Sequence, residues 1–138
     1  MLKKLFTWLR SRFGMFVIAD ARDNSITLSK RLFDHMQVFK HDKAKVFVFF
    51  IPEHNCYGFV LNPQFEQETQ LCEIQYNTKH KCIGFESLNP SVNRIFYDYG
   101  LPAEIGCQLS VKPKTVGNMK YYIICRPNGK YTRKLKTA

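Results

Sequence analysis

The sequence has no long apolar run. The longest, Val46 to Ile51, is six residues, far short of the roughly 18 that a membrane-spanning helix needs. The N-terminus has no apolar stretch followed by small residues at a cleavage position, so no secretory signal is expected. No two of the five cysteines (Cys56, Cys72, Cys82, Cys107 and Cys125) are spaced C-x-x-C. The short ligand pairs that mark zinc sites are therefore missing. The nearest approach is His54-x-Cys56 with His80-x-Cys82, which together could make a tetrahedral set. An odd number of unpaired cysteines fits reduced thiols in a cytoplasmic chain. No phosphate-binding loop of the G-x-x-x-x-G-K type and no G-x-S-x-G elbow occurs. Asp34 and Asp98 hold different positions in their expected helices, so no carboxylate pair recurs along the chain, and a non-enzymatic protein without a cofactor is expected.

Acids are also missing, but only from certain places. Residues 1 to 16 carry Lys3, Lys4, Arg10 and Arg12 with no acid. Residues 112 to 138 carry Lys112, Lys114, Lys120, Arg126, Lys130, Arg133, Lys134 and Lys136, again with no acid. The segment between holds nine of the 21 basic residues and all 11 acids. The formal net charge of +10 is thus +12 on the two ends and −2 in the middle. Acid-free ends point to an anionic partner, with nucleic acid first among them. Phosphate neutralisation by these residues would give binding that weakens steeply with salt. Tyr121, Tyr122 and Tyr131 lie among the C-terminal cations, where they could stack on bases.

What is present suits a small, mainly β domain. Hydrophobic residues make up 45% of 138 and aromatics 14%, enough for a buried core. Leu2, Leu5, Phe6, Leu9 and Phe13 recur at helical spacing, so residues 1 to 16 read as a basic amphipathic helix. That helix could pack on the fold, on a second copy, or on an anionic membrane surface. Strands are expected at Phe16–Ile18, Ser25–Leu28, Lys45–Ile51, Tyr57–Leu61, Leu71–Tyr76, Cys82–Phe85, Cys107–Val111 and Tyr121–Cys125. Ser29 is placed to cap a short helix over Lys30–Gln37. Asn89 and Pro90 suit the cap and first residue of a second helix that ends near Tyr99, with Gly100 after it. The last strands flank a turn containing Pro113 and Gly117.

The order of these elements repeats. Arg31 to Val38 lies over Arg94 to Leu101 at an offset of 63, and Asp20 to Leu28 over Asn77 to Phe85 at 57. Tyr57, Phe59, Leu61 and Pro63 lie over Tyr121, Ile123, Cys125 and Pro127 at 64. The expected fold is therefore α+β and mainly β: two tandem strand-turn-strand-helix-hairpin units behind an N-terminal helix. Its expected divisions are 1–16, 17–63, 64–127 and a basic tail, 128–138.

The unit resembles the AbrB/SpoVT swapped-hairpin family. The residues that carry the resemblance are Asp20, Ile26-x-Leu28-Ser29-Lys30, Leu32, Met36 and Val38 in the first half. In the second they are Asn77, Ile83-x-Phe85, Ile95, Tyr99, Gly100-Leu101, Leu109 and Val111. Two units in about 140 residues look like the tandem arrangement of the MraZ group. The resemblance implies an oligomeric, DNA-binding transcriptional regulator. It nominates Arg22, Lys30 and Arg31 in the first half and Lys79, Lys81 and Arg94 in the second as DNA contacts. Two other expectations stand beside it. One is an assembly subunit of phage or mobile-element type. The other is a peripheral membrane protein anchored by Leu2, Leu5, Phe6, Leu9 and Phe13.

Overall fold

A computed structural model describes residues 14–37, 44–61, 71–77, 82–117 and 119–127. The expected N-terminal helix and the tail lie outside the described residues. Among these described residues, nine strands and two short helices follow in order. They are β1 (Phe16–Asp20), β2 (Ser25–Leu28), α1 (Lys30–Met36), β3 (Lys45–Ile51), β4 (Cys56–Leu61) and β5 (Cys72–Glu73). Then come β6 (Gln75–Asn77), β7 (Cys82–Glu86), α2 (Val92–Tyr99), β8 (Cys107–Val116) and β9 (Met119–Ile124).

All strands join one antiparallel sheet in the order β5-β3-β4-β9-β8-β1-β2-β7-β6. Only Ile74 separates β5 from β6, so a single short stretch of chain touches both edges of the sheet. The sheet therefore curls into a nearly closed barrel. This corrects the expected fold of two tandem units. Strand β2 pairs with β7, β4 with β9 and β1 with β8, so hairpins from both halves alternate around one core. The physical reason is that a hairpin has two open edges and one apolar face, and cannot bury that face alone. Local patterning specifies the hairpins but leaves their neighbours open.

The inward face follows strand alternation. Val17 and Ala19 of β1, Ile26 and Leu28 of β2, and Val46 and Val48 of β3 are buried. Phe59 stacks on Tyr122 with centroids 5.4 Å apart and meets the edge of Phe85 at 5.7 Å. Helix α1 buries Leu32 and Met36, and α2 buries Val92, Ile95, Phe96 and Tyr99.

Several boundaries differ from the sequence reading, each for a local reason. Helix α2 starts at Val92, capped by Ser91, whose hydroxyl accepts from the Arg94 N–H at 3.1 Å. Asn89 and Pro90 instead form the turn before it, around a cis peptide bond. Strand β8 runs through Pro113 to Val116. Pro113 is tolerated because odd-numbered residues of β8 point their backbone donors away from β9. The Val111 N–H already reaches past β1, to the Met15 carbonyl at 3.0 Å. At Pro113 the missing donor faces an edge of β8 that has no partner strand among the described residues.

Helix α2 is anchored to the barrel by polar contacts at its last turn. The Tyr57 hydroxyl donates to Asp98, which also pairs with Arg94 at 3.4 Å. Arg126 donates to the Asp98 carbonyl at 2.6 Å and lies over the Tyr99 ring, 4.5 Å from its centroid. The Tyr57 hydrogen bond, more than the neighbouring charges, holds the Asp98 carboxyl below its ordinary value of 3.8. The folded carboxylate thus takes up its proton at lower pH than the unfolded one. Its contribution to stability is full above about pH 5 and is lost as pH falls through the folded value. Asp98→Asn is expected to lower stability at neutral pH and to flatten the acid side of a denaturation-versus-pH profile.

Candidate nucleic-acid interface

Residues 107 to 126, the β8–β9 hairpin and its flanks, contain Lys112, Lys114, Lys120 and Arg126 and no acid. Pairing places these cations on the barrel. Lys112 lies opposite Ile123, and Lys114 opposite Tyr121. Across the next strands, Tyr121 lies opposite Val60 and Val60 opposite Phe47, while Ile123 lies opposite Gly58 and Gly58 opposite Phe49. Two transverse rows result on the outer face: Phe47, Val60, Tyr121, Lys114, and Phe49, Gly58, Ile123, Lys112. Gly58 is required within the second row. A Cβ there would come within 2.7 Å of the Ile51 Cδ1 atom and 2.8 Å of the Tyr122 carbonyl oxygen.

The rows carry an aromatic platform. Phe47 stacks on Phe49 with centroids 5.6 Å apart and an interplanar angle of 15°. Phe49 meets Tyr121 edge to face at 5.7 Å. All three rings are half-buried and Val60 and Ile123, between them and the lysines, are buried, whereas Lys112 and Lys114 are exposed. Lys114 Nζ lies 3.0 Å from His54 Nε2 of the β3–β4 turn.

A second cationic group lies where α1 passes β9. His35 Nδ1 is 3.3 Å from the Tyr122 hydroxyl. Lys120 precedes Tyr122 by two residues on the same face of β9, and Arg31 precedes His35 by one helical turn. Burial, reinforced by the charges of Lys120 and Arg31, holds the imidazole below its ordinary value. Lys30 and Arg31 are exposed on α1.

The other candidate contacts are placed differently. Arg22 sits in the β1–β2 turn, where two of its side-chain nitrogens donate to Asp20 at 2.9 and 2.6 Å. Arg94 is paired with Asp98, and Arg126 donates to the Asn55 carbonyl at 2.6 Å. These three arginines are engaged within the protein. Lys79, Lys81, Lys130, Arg133, Lys134 and Lys136 lie outside the described residues, as do Tyr131 and the stripe Leu2, Leu5, Phe6, Leu9 and Phe13. Tyr122, expected among the stacking aromatics, is 2% exposed and packed on Phe59, so it faces the core instead. Phe47 and Phe49 went unselected in the sequence. Their alternation in β3 puts them on one face, but only the register places that face beside Tyr121 and the lysines.

Among the described residues, no group of three or more His, Cys, Asp or Glu side chains is arranged to hold a metal ion. Among them, too, no helix is long and apolar enough to cross a membrane. Comparisons with models of protein families, with curated proteins and with solved structures each return no match.

Proposed function

We propose that this protein is a non-enzymatic nucleic-acid-binding protein, with DNA the favoured partner, and that the outer face of β3, β4, β9 and β8 is its interface. The reading rests on one observation above the others: Lys112 and Lys114 stand at the ends of two rows whose other side chains include Phe47, Phe49 and Tyr121. Ammonium groups supply contacts to phosphates, and the rings supply surfaces for unstacked bases. Lys120 with Arg31 and Lys30 continues the positive surface around the end of the hairpin. The family resemblance would add transcriptional regulation, which calls for sequence preference on top of phosphate binding.

Fluorescence anisotropy with a labelled single strand and a labelled random duplex, over a range of salt, tests the proposal. Binding is expected to weaken linearly on a log–log scale as salt rises. Lys112→Ala/Lys114→Ala/Lys120→Ala is expected to reduce the steepness of that dependence by about 0.7–0.9 for each lost phosphate contact. Tyr121→Ala is expected to weaken single-strand binding by about 1–3 kcal/mol per base unstacked, and duplex binding less. An unchanged salt slope in the triple variant would remove this face as the interface. A preference for one duplex sequence over random competitors would support the regulator.

A further inference from the structure

Cys56 opens β4 and Cys125 follows the last residue of β9. The register runs Gly58 to Ile123 and Tyr57 to Ile124, so one further step sets Cys56 opposite Cys125. Residues directly opposite each other project to the same face of a sheet. The Cys125 N–H donates to the Ser110 carbonyl of β8 at 2.8 Å. In an extended strand the N–H and C=O of one residue point the same way, so Cys125 directs neither toward β4. Cys56 and Cys125 are therefore a non-hydrogen-bonded pair, the arrangement that brings Cα atoms to about 4.5 Å and side chains closest.

Disulfides bridge Cα separations of about 4.4–6.8 Å. The neighbouring rung uses part of that latitude. The Tyr99 hydroxyl accepts from the Tyr57 N–H at 2.7 Å and donates to the Ile124 carbonyl at 2.5 Å. It thus stands where a direct rung would lie and holds the two strands apart. A widening of up to about 2 Å still leaves the pair inside the bridging range. Neither cysteine is in a disulfide, and the Cys125 thiol donates to the Ile123 carbonyl at 3.8 Å.

We infer that Cys56 and Cys125 form a redox modification site, closing to a cross-strand disulfide when the protein meets a peroxide. Cys125 is half-exposed and Cys56 is 8% exposed, which gives them different parts. The Cys125 thiolate attacks one peroxide oxygen, the O–O bond breaks, and the departing hydroxide takes up a proton to become water. The Cys125 sulfenic acid so formed is attacked by the Cys56 sulfur. The S–O bond breaks, the S–S bond forms, and the departing hydroxide takes up the Cys56 proton as a second water. Two thiols lose two electrons in all, and one peroxide is reduced to two waters. Burial raises the Cys125 thiol, and the Lys112 ammonium offsets only part of that rise, so the attacking thiolate is a minor form that grows as pH rises.

The experiment treats the reduced full chain with hydrogen peroxide, blocks the remaining thiols by alkylation and maps non-reduced peptides by mass spectrometry. Circular dichroism monitors the fold throughout. The Cys56–Cys125 peptide pair is expected to be the dominant linkage, forming at a rate unchanged by tenfold dilution. Cys72→Ser/Cys82→Ser/Cys107→Ser is expected to form the same bond. Cys56→Ser is expected to accumulate a sulfenic acid at Cys125, trapped by dimedone. Oxidation of the folded wild-type chain without this linkage, or a linkage that vanishes on dilution, overturns the inference whatever the variants do.

Discussion

Phe59→Ala is expected to be among the most damaging single changes in the barrel, costing about 3–5 kcal/mol. Phe59 is 0% exposed. Its ring lies against Tyr122 of β9 and the edge of Phe85 of β7, so it joins strands from both halves of the chain. Truncation removes the transfer free energy of the ring, leaves a cavity that a closed sheet relaxes into poorly, and ends two aromatic contacts worth about 0.5–1.5 kcal/mol each. Domains of this kind hold roughly 5–15 kcal/mol in total, so the variant stands near the limit of folding. Urea denaturation of wild type, Phe59→Ala and Phe59→Leu measures the loss, with leucine expected to recover part of it. Tyr97→Ala serves as control. Tyr97 is 83% exposed on α2, and its loss is expected to stay within about 0.5 kcal/mol. A cost below about 1 kcal/mol for Phe59→Ala would mean that Phe59 does not join the two halves.

Gly84→Ala is expected to be the second large effect, and it acts through added volume. Gly84 lies opposite Thr27 in the β2–β7 pair, the rung that joins the first hairpin to the second half. A Cβ at this position would come within 2.3 Å of the Ile26 carbonyl oxygen and 2.9 Å of the Thr27 Cα. Both are backbone atoms of β2, so no side-chain rotation relieves the contact. The strands must part, at a cost of about 1–3 kcal/mol for overpacking and more if the rung is lost. A fall in Tm on the order of 10 °C follows for a chain of this size. Hydrogen exchange adds a local readout: the amides of β2 and β7 are expected to lose protection before those of β8 and β9. Equal loss across the whole sheet would place the damage elsewhere.

The two variants mark the difference between what alternation predicts and what the barrel adds. Ser25–Leu28 and Lys45–Ile51 are strands in the sequence and in the structure: Ile26 and Leu28 recur at every second position, and Val46–Ile51 is a short β-branched and aromatic apolar run. Ser29 caps α1 as its chemistry requires, its hydroxyl accepting from the Leu32 N–H at 3.3 Å. Gly100 ends α2 with a φ of 68°, where the absence of a Cβ removes the strain. Pro90 misleads, since a proline that suits the first turn of a helix suits a tight turn equally well. Pro113 misleads in the opposite sense, because its tolerance depends on which edge of β8 has a neighbour.

The candidate interface divides the same way. Its lysines are legible as an acid-free stretch of sequence. Its aromatic partners are not, since Phe49 and Tyr121 meet only through the register of β4. The arginines singled out by resemblance were legible as charges, but Asp20 and Asp98 are what engage Arg22 and Arg94.

By itself the sequence determined the hairpins, the Ser29 cap of α1, the Gly100 end of α2 and the concentration of charge in the β8–β9 segment. Each depends on residues within about one turn or one strand of each other, where side-chain alternation and capping act directly. The tertiary structure alone decided that the hairpins of both halves interleave in one barrel, that Tyr122 faces inward while Tyr121 faces the lysines, and that Cys56 meets Cys125. Those outcomes rest on which strand edges pair. Backbone hydrogen bonds are nearly alike for every edge, so the choice falls to the combined burial of side chains far apart in sequence.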